Sequence, residues 1–327
     1  MFYTSGSAVL PVRQKREDET MKKIFIDGSS GTTGLRIRER LNGRADLELI
    51  QLPESLRKDE NARRDALHEA DVAFLCLPDA AAVEAAALAG DSSAVIIDTS
   101  TAHRTADGWT YGFPELTGKR EAVCSSKRIA NPGCHASGFI SLVAPLVELG
   151  LLKKEAALSC FSLTGYSGGG KGMIAQYEAP DRSPLLDAPR QYGLTQQHKH
   201  LREMQIISGL DTAPVFCPVV AAFYSGMEVT VSVFRKDLTA SLDELREAYR
   251  SYYHGPVVHF EDSADEGGFY SAAAFSGRDD MQITVSGNDE RILLVSRFDN
   301  LGKGASGAAI QNMNILLGLD ETLGLEL

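Results

Sequence analysis

The stretch Lys22-Lys-Ile-Phe-Ile-Asp-Gly28-Ser-Ser-Gly31-Thr-Thr-Gly34-Leu-Arg-Ile-Arg-Glu-Arg-Leu41 decides the fold. Lys22 to Ile26 reads as a short buried strand, Gly28 to Gly34 as a tight turn, and Leu35 to Leu41 as an amphipathic helix. A G-x-x-G-x-x-G turn in that place lets the backbone approach a pyrophosphate at a helix N-terminus, where unpaired N–H groups favour an anion. The bare pattern is weak, but strand, turn, helix and a second strand, Leu47 to Leu52, arrive in the order dinucleotide binding requires. The turn's candidates for cofactor contact are Gly28, Ser30, Gly31, Thr32, Thr33 and Gly34.

Dinucleotide choice is set near the end of the second strand, where an acidic residue holds the ribose 2′-OH of NAD and basic residues accept the 2′-phosphate of NADP. Ser55, Arg57 and Lys58 favour NADP there, while Glu54 leaves NAD open. Further along, Asp65 to Ala70 reads as helix, Val72 to Leu77 as a buried strand stopped by Pro78, Ala80 to Leu88 as a helix and Ala94 to Ile97 as a strand. This alternation predicts an α/β fold, a Rossmann-like domain with a mostly parallel sheet over residues 21–133. Beyond it the texture changes to longer polar loops and alternating strands, Ala157 to Leu163, Met227 to Phe234, Met281 to Val285 and Arg291 to Ser296. With a helix at Leu242 to Tyr252, these predict a second α+β domain with a mostly antiparallel sheet over 134–301, followed by an apolar helix from Ala305 to Leu317.

Composition bounds the function. The 327 residues are 43% hydrophobic and 24% charged, an ordinary globular balance, and the formal net charge of -11 argues against general binding to nucleic acid or an anionic membrane. The five cysteines, 76, 124, 134, 160 and 217, are scattered with no C-x-x-C pair. That pattern fits neither a disulfide framework nor a zinc site, and predicts a reducing cytoplasm and no metal. Residues 1–20 lack the apolar core of a signal peptide and read as a poorly ordered extension.

The reactive candidate is Cys134 in Asn131-Pro-Gly-Cys134-His135, where a tight turn runs into an apolar helix. A thiol at a helix N-terminus is expected to have a depressed pKa; a drop of about two units from ~8.5 raises its thiolate fraction at pH 7 from roughly 3% to about 75%. Cys76 and Cys160 fall within apolar strands and Cys217 adjoins Pro218, so these read as structural, with Cys124 undecided. Gln196-Gln-His198-Lys-His200-Leu-Arg-Glu203 supplies the proton-handling group. If a helix starts at or just before His200, that residue and Glu203 share a face, giving a base and a carboxylate to orient it. Ser100 and Arg104, the glycine-rich Ser167 to Lys171, and Arg182 are the anion-binding candidates.

Seven segments in order give the chain a resemblance to the N-acetyl-γ-glutamyl-phosphate reductase family, in its shorter sequence type. They are Phe25 to Gly34, Leu75-Cys-Leu-Pro-Asp79, Ile97 to Arg104, Tyr111-Gly-Phe-Pro-Glu-Leu116, Asn131-Pro-Gly-Cys134, His198-Lys-His200 and Asn300 to Gly307. The resemblance implies NADPH-dependent reduction of an acyl phosphate through a cysteine thioester. It places the nucleophile at Cys134 and the catalytic histidine within His198-Lys-His200, with His200 favoured. Leu77 and Pro78 then fall beside the cofactor, and Asn131, Lys171, Arg182 and Glu203 with Ser100 and Arg104 about the substrate. The resemblance further implies that residues 302–327 pack back on the nucleotide domain, and that the middle domain carries the interface of a homo-oligomer, dimer or tetramer. Arg202 departs from the family, which has Pro there. The rivals left open are a reductase of aspartyl or N-acetyl-aminoadipyl phosphate, a cysteine hydrolase, and a non-catalytic redox sensor.

Overall fold

The computed structural model describes residues 21–327; the extension expected at 1–20 lies outside the described residues. The first unit comprises β1 (Lys22–Asp27), α1 (Thr32–Leu41), β2 (Leu47–Ile50), α2 (Glu60–Glu69), β3 (Val72–Leu75), α3 (Asp79–Ala89), β4 (Val95–Asp98), β5 (Thr110–Tyr111), α4 (Lys119–Ser125) and β6 (Arg128–Ala130). Every strand pair in it is parallel, in the order β2-β1-β3-β4-β6-β5. The chain leaves β1 toward β2 on one side and returns through β3 on the other, so the sheet's switch point, where ligands bind in such folds, lies between β1 and β3.

At that point the glycine turn packs against the end of β3. Gly28 has φ 84°, in the left-handed region, and a Cβ there would collide with the Cys76 carbonyl oxygen. Gly34 is equally confined: a Cβ would stand 2.5 Å from the Gly28 carbonyl oxygen and 3.0 Å from the Ser29 Cα. Its role is the close approach of α1 to the turn.

The second unit comprises α5 (Cys134–Glu148), β7 (Ser159–Gly165), α6 (Gly170–Glu178), β8 (Arg190–Gln191), α7 (His200–Ser208), β9 (Val215–Ala221), β10 (Met227–Phe234), α8 (Leu242–Tyr252), β11 (Val258–Phe260), β12 (Met281–Gly287) and β13 (Arg291–Phe298); after a π-helical turn at Gly302–Ser306 the chain returns to the first unit as α9 (Gly307–Leu316). Its sheet runs β11-β12-β13-β10-β7-β9-β8 and is mostly antiparallel, with parallel pairs only at β11·β12 and β7·β9. Helix α5 is buried from His135 to Leu146, which explains its apolar circumference; Phe139, Ile140 and Val143 share a core with Val229, Leu294 and Phe298. Ala309, Ile310 and Met313 of α9 pack with Ile24, Ile37 and Phe74 of the first unit.

The Rossmann-like parallel sheet followed by a mostly antiparallel α+β unit agrees with the sequence reading, and α8 begins and ends at the expected residues because Ser241 and Glu244 form a reciprocal capping box. Several boundaries move. Helix α2 starts at Glu60 rather than Asp65, since Asp59 caps it by accepting the Ala62 N–H (2.8 Å) on a polar, largely exposed turn that carries no apolar period. Strand β3 ends at Leu75, which puts Cys76 beyond the strand. The short strands β5, β6 and β8 and the helices α4 and α6 have too few apolar positions to register in sequence, and α6 is helical despite Gly170 and Gly172.

Replacing Gly28 with Ala should cost about 2–4 kcal/mol, combining left-handed strain with overpacking. Gly108→Ala, at φ 78° with open space around it, should cost only about 1–2 kcal/mol. Equal costs in denaturant unfolding would contradict the packing of the turn on β3.

Candidate active site

Two cavities meet at Leu77. The larger, about 610 Å3, runs between the units and is lined by Gly31, Thr32 and Thr33 of the turn, Leu77 and Pro78, Ser100 and Arg104, Asn131 to His135, the Ser167–Gly170 segment, Tyr192 and His198 to His200. The other, about 400 Å3, lies between the turn and the end of β2, and is lined by Gly28, Ser30, Glu54, Ser55, Arg57 and Lys58. It also contains Arg38 from α1, which the sequence reading missed because a helix-face arginine looks like solvated charge.

A dinucleotide fits this pair of cavities. Helix α1 has no side-chain cap at Gly31, so its first N–H groups are free for a pyrophosphate. Among the described residues, Arg38, Arg57 and Lys58 form no ion pair or hydrogen bond through their side chains and surround one end, where a 2′-phosphate needs cations, and Glu54 is the sole acidic side chain lining that cavity besides Asp27, itself held by Arg63 (2.8 Å). Among the described residues no group of three or more His, Cys, Asp or Glu is placed to hold a metal ion.

Cys134 is the first residue of α5, as expected, but its environment reverses the predicted acidity. Burial pushes the thiol up, outweighing the Arg104 charge and the His135 backbone N–H that favour the thiolate, and Glu203 adds to the rise. The resting group is therefore a thiol. Opposite it, burial first and the Arg104 charge second hold His200 well below the ordinary imidazole range, so it is neutral. His200 Nε2 lies so close to Gly133 that a Cβ there would be 2.5 Å from it, and closer still to Arg104 Nη1. Only glycine lets the Cys134 turn, the imidazole and the guanidinium meet. His200 Nδ1 is buried with no hydrogen-bond partner among the described residues, which leaves its tautomer unlocked, whereas His198 Nδ1 accepts the His200 backbone N–H (3.2 Å).

Helix α7 starts at His200, and Glu203 is on it, but the carboxylate does not orient the imidazole. Its Oε1 accepts from the Gly133 N–H (2.8 Å) and the Tyr111 hydroxyl (2.8 Å), and its Oε2 from Arg104 Nη1 (3.0 Å). With 2% of its surface exposed, Glu203 lies beneath the Gly133–Cys134 turn, outside the cavity wall where a substrate would touch it. Arg104 also donates from Nε to the Asn131 carbonyl (2.9 Å) and from Nη2 to the Thr99 carbonyl (3.1 Å), leaving two of its five N–H groups for a ligand. Asn131 donates to the Ala305 carbonyl (2.9 Å), which ties the turn to the start of the final helix.

Two substrate candidates fall elsewhere. Lys171 is on the exposed first turn of α6, beside Arg36 and Arg40 in a separate groove on α1. Arg182 is held by the Tyr177 carbonyl (2.7 Å) and Asp187 (2.5 Å), away from the cavity. Neither reaches Cys134 within one chain; a loop position in sequence carries no information about which cavity it faces. Lys199, 3.8 Å from Asp79, and Tyr192 are cavity residues that sequence did not single out.

Two family models match, "Semialdehyde dehydrogenase, NAD binding domain" over residues 19–125 and "Semialdehyde dehydrogenase, dimerisation domain" over 134–300. The N-acetyl-gamma-glutamyl-phosphate reductase 2 of Nostoc sp. is 45% identical over 318 residues, covering 93% of this chain and 99% of its own length. The chain belongs to the N-acetyl-γ-glutamyl-phosphate reductase family. The Brucella suis reductase of that name is 46% identical over 307 residues, covering 90% of this chain and 99% of its own. Among solved structures, aspartate semialdehyde dehydrogenase II of Vibrio cholerae, complexed with ASA, has a TM-score of 0.71 at 17% identity, covering 91% of this chain and 99% of its own; the Candida albicans enzyme with NADP scores 0.66 at 17% identity, covering 91% and 99%. These share the fold.

The charge arrangement has a signed consequence. Glu203→Gln removes a charge that raises the Cys134 pKa, so the alkylation of the free enzyme by iodoacetamide should shift to lower pH, while Arg104→Gln shifts it to higher pH; shifts of the same sign would contradict the arrangement. Burial also drives His135 down to about 3, so it folds neutral and binds a proton only on unfolding. Its contribution is present above pH 6.5 and is lost as the pH falls below that. Between pH 7 and pH 5 the parent should lose about 2 kcal/mol more stability than His135→Asn, measured by denaturant unfolding; parallel profiles would refute this.

Proposed function

We propose that this chain catalyses the NADPH-dependent reduction of N-acetyl-L-glutamyl 5-phosphate to N-acetyl-L-glutamate 5-semialdehyde and phosphate, a step of arginine biosynthesis. The carrying observation is the Cys134–His200–Arg104 constellation on the wall of a cavity that begins at an uncapped dinucleotide turn. The names of relatives sharing nearly half of the residues support the substrate.

In this mechanism His200, neutral in the resting site, takes the Cys134 proton as the sulfur attacks the acyl carbon. The new C–S bond forms and the C–O bond to phosphate breaks, leaving a thioester on Cys134. The hydride that reduces the thioester would come from NADPH held by the Gly28–Gly34 turn and by Arg38, Arg57 and Lys58. The thiohemiacetal then collapses, re-forming the carbonyl while the C–S bond breaks, and protonated His200 returns the proton to sulfur. The two uncommitted N–H groups of Arg104 hold the departing phosphate and Asn131 fixes the turn, while the Ser100 hydroxyl proton is taken by Asp98 Oδ2 (2.7 Å). Arg38, Arg57 and Lys58 select the 2′-phosphate of NADP. Residues 21–133 with 302–327 serve as the nucleotide unit and 134–301 as the substrate and oligomer unit.

A homo-oligomer, dimer or tetramer, is part of this reading. Helices α5 and α8 cover one face of the second sheet, while on the other Phe161 of β7, Val215 of β9 and Leu293 of β13 are exposed. Such a patch is suited to a second copy. A cytoplasmic location is likewise proposed; among the described residues no helix is long and apolar enough to cross a membrane.

The decisive assay runs in reverse, with N-acetylglutamate semialdehyde, NADP and phosphate. Cys134→Ala should abolish NADPH formation. His200→Ala should reduce kcat by about 100-fold or more, with His198→Ala milder. A severe effect confined to His198 would move the base, and a signal that persists without Cys134 would sink the mechanism.

A further inference from the structure

Behind the reactive cysteine lies a hydrogen-bond chain that the mechanism above leaves unused. His135, the residue after Cys134, is 4% exposed and sits 2.6 Å from Ser162 Oγ through Nδ1 and 2.6 Å from the Tyr192 hydroxyl through Nε2. Since burial keeps this imidazole neutral, it donates from one nitrogen and accepts at the other. The direction follows from counting protons. Ser162 is completely buried on β7, and its hydroxyl has no hydrogen-bond partner among the described residues other than His135 Nδ1. Were Nδ1 the donor, the Ser162 proton would be orphaned in the core, which folded proteins avoid. Ser162 therefore donates to Nδ1, the imidazole proton sits on Nε2, and Tyr192 accepts it.

Tyr192 then has one proton left. No acceptor among the described residues takes it, while Tyr192 lines the cavity that holds Cys134, close enough for charge on that sulfur to be felt at the phenol. The phenol is also held in place. Tyr192 donates its backbone N–H to the Pro218 carbonyl (3.0 Å), and four residues on, Gln196 takes φ 54° and pairs its amide with both the N–H (2.8 Å) and the carbonyl (2.7 Å) of Phe216. The segment is thereby strapped to β9. The Phe216 ring in turn packs against His135 (5.3 Å between centroids) and His198 (5.1 Å).

We propose that the Tyr192 hydroxyl, oriented by the Ser162–His135 chain, is a further catalytic group that donates a hydrogen bond to the acyl oxygen of the substrate on Cys134. It keeps its proton throughout: burial raises the phenol well above its ordinary range, so it stabilises the oxyanion without transferring to it. The assignment rests on the acyl-phosphate reading above and supplies a side-chain donor for the oxyanion of that reaction.

Two measurements test it. In the reverse assay Tyr192→Phe should lower kcat on the order of 100-fold with the KM for NADP unchanged. Its rate of alkylation by iodoacetamide, a reaction with no acyl oxyanion, should match the parent's. A kcat within about threefold of the parent, or an alkylation rate that falls in parallel with kcat, overturns the catalytic role. A parent protein with no phosphate-dependent NADP reduction instead overturns the functional reading, and the Tyr192 assignment with it. Independently of activity and of how the variant folds, long-range 1H–15N spectra of the parent should find His135 protonated at Nε2; protonation at Nδ1 would reverse the chain and remove the free phenolic proton.

Discussion

The structure depends on one buried carboxylate. Glu203, on α7 of the second unit, joins Arg104 and Tyr111 of the first unit to the backbone N–H of Gly133, the residue before Cys134. Burying such an ion pair is costly, and removing one partner of a buried pair typically costs 3–5 kcal/mol because the other charge is left unpaired. Here both carboxylate oxygens are satisfied, so the desolvation is offset by directed hydrogen bonds. The result is a fixed junction between a parallel sheet that presents a dinucleotide site and an antiparallel one that presents the thiol.

From that junction the electrostatics follow. Arg104 supplies the cation beside Cys134, yet Glu203 partly neutralises it, and burial leaves both thiol and imidazole uncharged at rest. Helix position alone predicts a standing thiolate; the enclosed cavity opposes it. An uncharged pair is coherent with the proposed chemistry, in which the proton moves only when an acyl carbon is present to accept the sulfur. Gly133 makes this possible by allowing contact distances that any side chain would prevent.

Much of the architecture was legible in the chain. Lys22–Leu41 and the following alternation carried the first sheet, and the helix starts at Cys134 and His200 were placed correctly because a proline-glycine turn and a polar cluster precede them. What sequence could not convey was direction. Glu203 shares a helix with His200 but its carboxylate is used by a turn 70 positions earlier in the chain, and Arg182 is claimed by its own loop. Tyr192 and Arg38 were invisible because their importance lies in the cavities they face, formed by long-range packing. Exposed α2 was misplaced at its start since its cap, Asp59, sits in a run of charge.

The central claim is that Cys134 carries the acyl group. Intact-protein and peptide mass spectrometry, after mixing the enzyme with N-acetylglutamate semialdehyde and NADP in the absence of phosphate, tests it most directly. The account predicts a burst of NADPH of one per site, accompanied by a single N-acetylglutamyl adduct on Cys134 that phosphate discharges. A burst without that adduct, or an adduct on another residue, would contradict it.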